Sequence, residues 1–502
     1  MTPLKVGTVD QFRTVRNILE RSNYTESAIC ERLKLESIYE FRSTLELETK
    51  SRTINDALDL LIALFMDGES VLEDQLTGLL TPAALENFEA LGLIGRDDDY
   101  PGKCFTTAFL YPVESVYIAS DRTIPANQKS QPMPDDVVYA AITANTRRFL
   151  AALPETSCGL FLDLCSGTGV AALIAAKRYA THAWSCDVTE RSAQFAEFNR
   201  CLNEIENVTV ARGDLYEAAQ GRRFDRIVAH PPYIPAVRED KPRLFFRDGG
   251  EDGEVILQRI VEGLPDHLAP GGRFYAVTLA TDREGENFEH RIRRWLGPAS
   301  ADFDVVLIAY ELKRRPEDII AVIVARGWMK HMNPTVELYE RLKVTAVFYG
   351  AVMIHRKTSD RPCATARNLK SARVGREALE WLYEWETAAV QDNFKRSFLE
   401  CRPTLAPNMK LIVTHTPEPE GLLPTEFTLK SDYPFVVNAA CPSWLAVVLG
   451  ACNGSRTAAE IFEEMKAQEV LDSNISREEF VDLLRVLGSN ALIQIPQIPP
   501  LK

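Results

Sequence analysis

The sequence predicts an α/β protein in which a central domain, built around a seven-stranded sheet, is flanked by two smaller domains. Strand and helix patterns alternate from about residue 137 to residue 357, which is typical of a parallel sheet with helices on both faces. Helical periodicity dominates residues 1–110, and the chain ends on three helices and a strand. We therefore predict domains at 1–122, 123–357 and 358–502.

Length and composition agree with several globular domains. The chain has 502 residues, 46% hydrophobic and 25% charged, and about 150 residues per domain is usual. Its net charge of −14 disfavours broad binding to polyanions such as naked nucleic acid. The ten cysteines are scattered singly, which predicts reduced thiols, a cytoplasmic protein and no metal site. No apolar run approaches the roughly 18 residues of a membrane span.

The first domain is predicted to be mainly helical and winged-helix-like. Its helical segments are FRTVRNILERS, ESAICERLKL, INDALDLLIALFM and TPAALENFEALGLI, with apolar residues three and four positions apart. After Gly95 the alternating stretch FTTAFLYPVESVYIAS predicts one or two short strands. Residues 123–136 carry three prolines and are predicted to form a boundary or a loop over a site.

The central domain contains seven candidate strands. They lie at residues 159–165, 183–188, 207–212, 224–230, 272–279, 303–309 and 347–356. Between the last two, Pro316 and Pro334 suit the first turns of two inserted helices within residues 314–345. We expect these helices and the N-terminal domain to shape the acceptor site rather than the cofactor site.

The C-terminal domain opens on a basic stretch. Residues 356–376 hold seven Lys or Arg against one acid, which predicts a solvated linker, with an RNA or ribosome contact as the alternative. Three helical segments and a short terminal strand, ALIQIP, then predict a winged-helix-like module.

A glycine turn after the first central strand carries the clearest chemistry. In LFLDLCSGTGVAALIAA, Asp163 lies at the end of the strand, and Gly167 and Gly169 permit the close approach of a ligand to a helix N-terminus. The run from Gly167 to Ala172 fits G-x-G-x-x-A, and Asp187 ends the next strand, where an acid that binds a ribose belongs. NAD and S-adenosylmethionine (SAM) both fit this pattern.

Two further strand ends separate these cofactors. GDLYEA places Asp214 after the third strand, and AHPPYIP follows the fourth. The successive prolines Pro231 and Pro232 stop the strand and hold Tyr233 in a rigid turn at the edge where open α/β sheets bind ligands. Hydride transfer does not require this loop, so the combination favours SAM.

With DLCSGTG, the HPPY loop and the downstream GGEDGEVILQRIVEGLPDHLAPGGRFYAVT, the region resembles the class I SAM-dependent methyltransferases of the HemK/PrmC-like branch, which have a Rossmann-like fold. The resemblance covers about residues 137–357. It implies a glycine-loop cradle for the methionine end of SAM, a ribose contact, an adenine-edge contact and an acceptor loop. The cradle is Asp163, Cys165, Ser166, Gly167, Thr168 and Gly169, with His230 also against the cofactor; the ribose and adenine contacts are Asp187 and Asp214; and the catalytic loop is His230, Pro231, Pro232 and Tyr233.

One residue departs from the family pattern. His230 stands where the motif begins with Asn or Asp. An asparagine both donates to and accepts from a planar amide, which aligns the nitrogen lone pair with the methyl group. A neutral histidine can do the same with a different reach, and near its unperturbed pKa of about 6.5 it can also accept a proton.

The sequence does not decide which group accepts the methyl group. The flanking domains and acidic charge favour N-methylation of a protein or peptide amide, while an RNA nucleobase, a small molecule methylated on nitrogen or oxygen, and a non-catalytic scaffold are the alternatives. The C-terminal segment also resembles the small peptide-binding modules of PqqD type.

Overall fold

The structure is a computed structural model, and the chain forms two compact units. One comprises residues 1–278 with 333–338, and the other comprises residues 279–332 with 339–502, so the division falls within a strand. Residues outside the following ranges are not described. The described ranges are 3–41, 52–97, 100–122, 134–219, 221–236, 244–313, 333–369, 375–496 and residue 498.

The first unit begins with helices, as the periodicity predicts. Helix α1 begins after Thr8, whose hydroxyl accepts the N–H of Gln11 while the Gln11 side chain accepts the N–H of Thr8. Its apolar residues, three and four apart, are buried on one face. The helices of this part are α1 Val9–Arg21, α2 Glu26–Leu33, α3 Ala57–Leu61, α4 Glu73–Leu79 and α5 Pro82–Ala90.

Short antiparallel strands close this helical part. Strands β1 Val71–Leu72, β2 Ile94–Arg96 and β3 Lys103–Thr106 form a sheet in the order β1-β3-β2. Strands β4 Phe109–Val113 and β5 Val116–Ser120 form a separate hairpin. The stretch predicted to hold one or two strands therefore holds three. The proline-rich segment at 123–136 lies almost wholly outside the described residues.

A parallel sheet forms the rest of the first unit. Its strands β10-β9-β6-β7-β8 lie in that order, each parallel to its neighbours. The strands are β6 Cys158–Leu164, β7 Ala180–Asp187, β8 Val208–Arg212, β9 Phe224–Ala229 and β10 Leu268–Arg283, and the helices are α6 Ala144–Ala152, α7 Val170–Arg178, α8 Glu190–Leu202 and α9 Val255–His267. The strand order reverses between β6 and β9, so a crevice opens at the carboxyl ends of these two strands.

Two asparagines of α8 hold the hairpin to the parallel sheet's helix layer. The Asn199 amide donates to the carbonyl of Ala119 (3.0 Å) and accepts its N–H (2.7 Å), and Asn203 makes the same pair of bonds with Tyr117. Asn199 also donates to the carbonyl of Thr168 (3.0 Å) in the glycine turn. The hairpin is therefore linked to the glycine turn through Asn199. Our expectation that the N-terminal part shapes the acceptor site stays a prediction.

The second unit begins with the two remaining predicted strands, which form a sheet with a strand that the sequence did not predict. Strand β11 Phe303–Lys313 pairs antiparallel with β12 Val344–Arg356 and parallel with β13 Thr365–Leu369, and α10 Phe288–Trp295 precedes them. Of the insertion predicted at 314–345, residues 314–332 lie outside the described residues. Helix α11, Asn333–Arg341, follows them with Pro334 in its first turn.

Strand β13 corrects the prediction of a solvated linker at 356–376. Arg361 pairs with Asp304 through two hydrogen bonds (2.9 and 2.6 Å), and Arg367 contacts Asp282 and Glu289. Burial would raise the pKa of Asp304, but hydrogen bonds from His355, Arg361 and a backbone N–H lower it to about 2. These basic residues neutralise acids that precede them by 57 to 85 positions, a pairing that local composition does not reveal.

The C-terminal part is helical with short sheets. The ring of Trp385 packs against Gly488, where a Cβ would overlap it. Trp381 donates a hydrogen bond to the carbonyl of Gly488. The elements are helices α12 Arg376–Ala389, α13 Phe394–Glu400, α14 Ser443–Ala451, α15 Ala458–Ala467 and α16 Arg477–Ser489, and strands β14 Thr404–Leu405, β15 Lys410–Glu418, β16 Gly421–Ser431, β17 Val437–Cys441 and β18 Ile493–Gln494. Within the described part of the chain, no helix has the length and apolar character that crossing a membrane requires.

We predict that Asn199→Ala destabilises the protein, because it leaves buried N–H and C=O groups of Ala119 and the carbonyl of Thr168 without these partners. The free energy of unfolding should fall by about 3 kcal/mol in urea titrations. The control Gln194→Ala, on the exposed face of the same helix, should change it by less than about 0.5 kcal/mol. Equal effects of the two substitutions would contradict the role of Asn199.

Candidate functional site

The glycine turn after β6 is shaped by two glycines with different tasks. Gly167 has a φ of 53°, and a Cβ there would meet no atom within 4 Å, so the position opens onto free space. Gly169 has a φ of 77°, and its Cβ would lie 3.1 Å from the Cβ of Ala196 and 3.2 Å from the hydroxyl of Ser185. Gly167 leaves open space above the turn. Gly169 allows the start of α7 to pack closely against Ala196 of α8 and Ser185 of β7.

The other residues of the turn are tied into the fold. Ser166 accepts a hydrogen bond from the Ser185 hydroxyl (2.8 Å), and its N–H donates to the carbonyl of Cys186. Burial raises the pKa of the Cys165 thiol, so it stays uncharged. Thr168 is buried and is bound through its carbonyl to Asn199. These residues therefore stabilise the turn. The groups that they can offer to a ligand are chiefly backbone N–H and C=O groups.

Asp187 lies directly beside this turn. One carboxylate oxygen accepts the N–H of Gly167 (2.9 Å), and the other accepts the N–H of Thr189 (3.2 Å). Burial raises the pKa of Asp187, although these hydrogen bonds oppose the shift. A carboxylate has about four acceptor positions, so Asp187 can still accept hydrogen bonds from a diol.

Asp163 is the most strongly perturbed acid in the site. Its side chain is buried, and one oxygen accepts the N–H of Ala172 at 3.3 Å. Desolvation, with a smaller contribution from Asp187, raises the pKa of Asp163 to about 8. Among the described residues no basic side chain is hydrogen-bonded to it. A ligand that brings a positive charge would supply the missing partner.

Asp214 lies two residues beyond β8 and is more exposed. Its carboxylate forms an ion pair with Arg259 (2.8 Å) and lines a cavity of about 290 Å³ together with Tyr216, Glu262 and His267. No hydrogen bond within the described residues joins it to Asp163 or Asp187. The structure thus places Asp214 at the same sheet edge but does not link it to the two other acids.

The HPPY loop follows β9, the strand next to β6. Leu164 and Ala229 are register partners, so the glycine turn and His230 leave the sheet side by side. The GGEDG segment, residues 249–253, packs against this loop. A Cβ at Gly249 would lie 2.7 Å from the carbonyl oxygen of Pro232, and one at Gly253 would lie 2.6 Å from that of Tyr233. The GGEDG stretch is glycine-rich because backbone packs on backbone here.

The ring of His230 leaves one nitrogen without a hydrogen bond to any described residue. This Nε2 is buried, and the ring stacks on Phe149 with centroids 5.2 Å apart. Burial lowers the pKa of His230 to about 4, so the imidazole is neutral near pH 7. A buried, unpaired nitrogen is costly unless a ligand completes its hydrogen bond.

Tyr233 is held by a residue that sequence reasoning missed. The Asn145 amide of α6 donates to its phenolic oxygen at 2.7 Å, and the Tyr233 ring lies 6.0 Å from that of His230. Asn145 and Phe149 are four positions apart on one helix, and both contact the loop. Nothing in the local sequence marks them, because the loop follows some 80 residues later.

The predicted site residues are therefore brought to one edge of the sheet. Asp163, Asp187 and the glycine turn lie on one side, and residues 230–233 lie on the other.

This part of the chain is similar to known proteins. Residues 138–287 match the family model described as methyltransferase small domain.

Three curated relatives illustrate the similarity. A ribosomal protein uL3 glutamine methyltransferase of Bradyrhizobium diazoefficiens is 31% identical over 30% of this chain and 50% of its own length. A putative protein N5-glutamine methyltransferase of Methanocaldococcus jannaschii is 33% identical over 22% of this chain and 57% of its own. A release factor glutamine methyltransferase of Thermodesulfovibrio yellowstonii is 31% identical over 23% and 44%, respectively.

The chain spans about half the length of these relatives. Most of this chain's own residues lie outside the matched region. Within the match, the resemblance to the HemK/PrmC-like glutamine methyltransferases is confirmed. Residues 138–287 thus match a methyltransferase small domain, with the class I methyltransferase fold.

Proposed function

We propose that the protein is a SAM-dependent methyltransferase that N-methylates an amide of a protein or peptide. The observation that carries this proposal lies at the ends of the adjacent strands β6 and β9. Within the described part of the chain, a buried acid there has no hydrogen bond from a basic side chain, and a buried imidazole nitrogen has no hydrogen-bond partner. The first suits a cationic cofactor, and the second suits a polar acceptor group.

The residues of the glycine turn fit SAM. Asp163 would accept the ammonium of its methionine end, Asp187 the ribose hydroxyls, and Asp214 the edge of the adenine. The space above Gly167 leaves room for the ligand to approach the backbone, with Cys165, Ser166, Thr168 and Gly169 forming the turn. When bound, SAM supplies a methyl group activated by the sulfonium.

The HPPY loop fits an amide acceptor. Transfer to an amide nitrogen breaks the bond from the sulfonium to its methyl group and leaves the neutral thioether, and the amide N–H proton then departs to water. This step needs chiefly alignment, whereas a hydroxyl acceptor needs a base in the transition state, which contributes about 100- to 10,000-fold. With a pKa of about 4, His230 is a weak base, so we assign it to hydrogen bonding of the acceptor. Pro231 and Pro232 fix the turn, and Tyr233 orients the plane of the amide.

A protein acceptor is supported by the relatives, which are named for glutamine methylation of ribosomal protein uL3 and of release factors. On the same basis we propose that the protein acts in the cytoplasm. An acceptor on structured RNA is the competing outcome that the acceptor experiment below distinguishes.

We also propose the finer organisation that the sequence predicts. The central methyltransferase domain would extend over residues 123–357 with seven strands, between a helical N-terminal domain at 1–122 and a winged-helix-like C-terminal domain. In support, each of the seven predicted segments is a strand, and α14, α15 and α16 precede the short strand β18. We propose that the flanking parts contribute to recognition of the acceptor.

Cofactor binding should release a proton from Asp163. At pH 7 a carboxyl with a pKa of about 8 is mostly protonated, and an ammonium beside it lowers that pKa, so binding of S-adenosylhomocysteine should release up to about 0.9 proton. At pH 9 the release should nearly vanish. Calorimetry in buffers of different ionisation enthalpy measures this number.

Two variants control the proton measurement. Asp163→Asn should abolish the release at pH 7, whereas Asp266→Asn, which changes an exposed acid of α9, should leave it intact. Identical binding enthalpies in all buffers for the unaltered protein at pH 7 would contradict the role of Asp163.

The acceptor is tested with radiolabelled SAM and pools of glutamine-containing peptides and of structured RNA. We expect transfer to peptide. His230→Asn, which restores the family's residue, should retain more than about a tenth of kcat, while Tyr233→Ala should lose about 100-fold through misplacement of the acceptor. Tyr100→Ala, an exposed tyrosine, should have no effect.

Two results would contradict this assignment. Transfer to RNA but not to peptide would exclude a protein acceptor. Loss of all turnover in His230→Asn with intact cofactor binding, together with a rate that follows one deprotonation near neutral pH, would make His230 a general base and favour oxygen methylation.

A further inference from the structure

We propose that Asn145 of helix α6 is a positioning residue of the acceptor site, which acts on the proposed methyl transfer through the phenol of Tyr233. The catalytic consequence of this inference rests on the proposed function. The hydrogen bond between Asn145 and Tyr233 does not depend on that function. It assigns a role to a helix that precedes the glycine turn and lies outside the motifs identified in the sequence.

The direction of the hydrogen bond is set by the neighbours of Asn145. Arg148 donates to the Asn145 side-chain oxygen at 3.4 Å, which leaves the amide nitrogen to face Tyr233. That nitrogen can only donate, so the phenolic oxygen of Tyr233 is the acceptor at 2.7 Å. The Tyr233 hydroxyl hydrogen must therefore point away from Asn145, and the ring is fixed at its outer end.

The same helix face also holds the other ring of the loop. Phe149 lies one turn after Asn145 and is buried, with its ring nearly parallel to that of His230 at an angle of 22°. Residues four apart lie on one face of a helix. Helix α6 thus contacts both His230 and Tyr233.

This arrangement explains how a loop can orient an acceptor plane. Pro231 and Pro232 restrict the backbone, and the GGEDG stretch supports it, but neither fixes the rotation of the Tyr233 side chain. The Asn145 amide does so from a regular helix, whose backbone is more rigid than a loop. Loss of this bond should misplace the acceptor without changing the cofactor cradle, since Asn145 has no hydrogen bond to Asp163, Asp187 or the glycine turn among the described residues.

The test is a double-mutant cycle between Asn145→Ala and Tyr233→Phe, with a glutamine-containing peptide as the acceptor. Each single substitution should lower kcat about tenfold with little change in the Kd of S-adenosylhomocysteine. Because both remove the same bond, the double variant should be no slower than the slower single variant. Arg147→Gln, an exposed change on the same helix, should match the unaltered protein.

Effects that multiply in the double variant would overturn the proposal, since Asn145 would then act independently of the phenol. A rise in the Kd of S-adenosylhomocysteine equal to the loss in kcat would also overturn it, because it would place Asn145 in the cofactor site.

A second measurement keeps the inference separate from the proposed function. In protein with ¹³C-labelled tyrosine, the ring signals of Tyr233 are those absent from Tyr233→Phe. They should shift in Asn145→Ala and stay in place in Arg147→Gln. If no peptide is methylated by the unaltered protein, the proposed acceptor is wrong, and these signals alone decide the inference: unshifted signals in Asn145→Ala overturn it.

Discussion

The burial of one carboxyl, Asp163 at the end of β6, constrains the rest of the site. Its folded pKa of about 8 lies above the value of about 3.9 expected in an unfolded chain, so the folded protein binds this proton more tightly. The corresponding stability is complete below about pH 4 and is lost as the pH rises towards 8. Among the described residues no basic side chain is hydrogen-bonded to this acid, so its burial costs stability near neutral pH, and on the proposed function a cationic ligand would offset that cost.

The neighbouring elements follow from this constraint. The left-handed backbone at Gly167 leaves space above the acid, and the N–H of Gly167 binds Asp187, which places a second carboxylate at the same strand ends. Directly after the adjacent strand, His230 is neutral, and its Nε2 has no hydrogen-bond partner among the described residues. Asp163 accepts one backbone N–H but no hydrogen bond from a described basic side chain. On the proposed function, a bound cationic methyl donor would partner the acid and a polar acceptor would partner the imidazole.

Much of this site could be predicted because its signals are local. The strand ends, the glycine turn and the two prolines are each read from a few consecutive residues, and the seven central strands appear where alternation places them. Three contacts that the sequence did not reveal depend on distant partners. Asn145 meets Tyr233 across 88 positions, Asn199 meets Ala119 across 80, and Arg361 meets Asp304 across 57. Local composition predicts a solvated stretch at 356–376 because the acids that neutralise its arginines lie far away in sequence.

The most direct test of the account is a crystal structure of the protein with S-adenosylhomocysteine. We expect the ammonium on Asp163, the ribose hydroxyls on Asp187, and the sulfur facing the loop formed by residues 230–233. A ligand bound elsewhere, or one in this crevice whose sulfur faces away from His230 and Tyr233, would contradict the claim that the ends of β6 and β9 bring the methyl donor and its acceptor together.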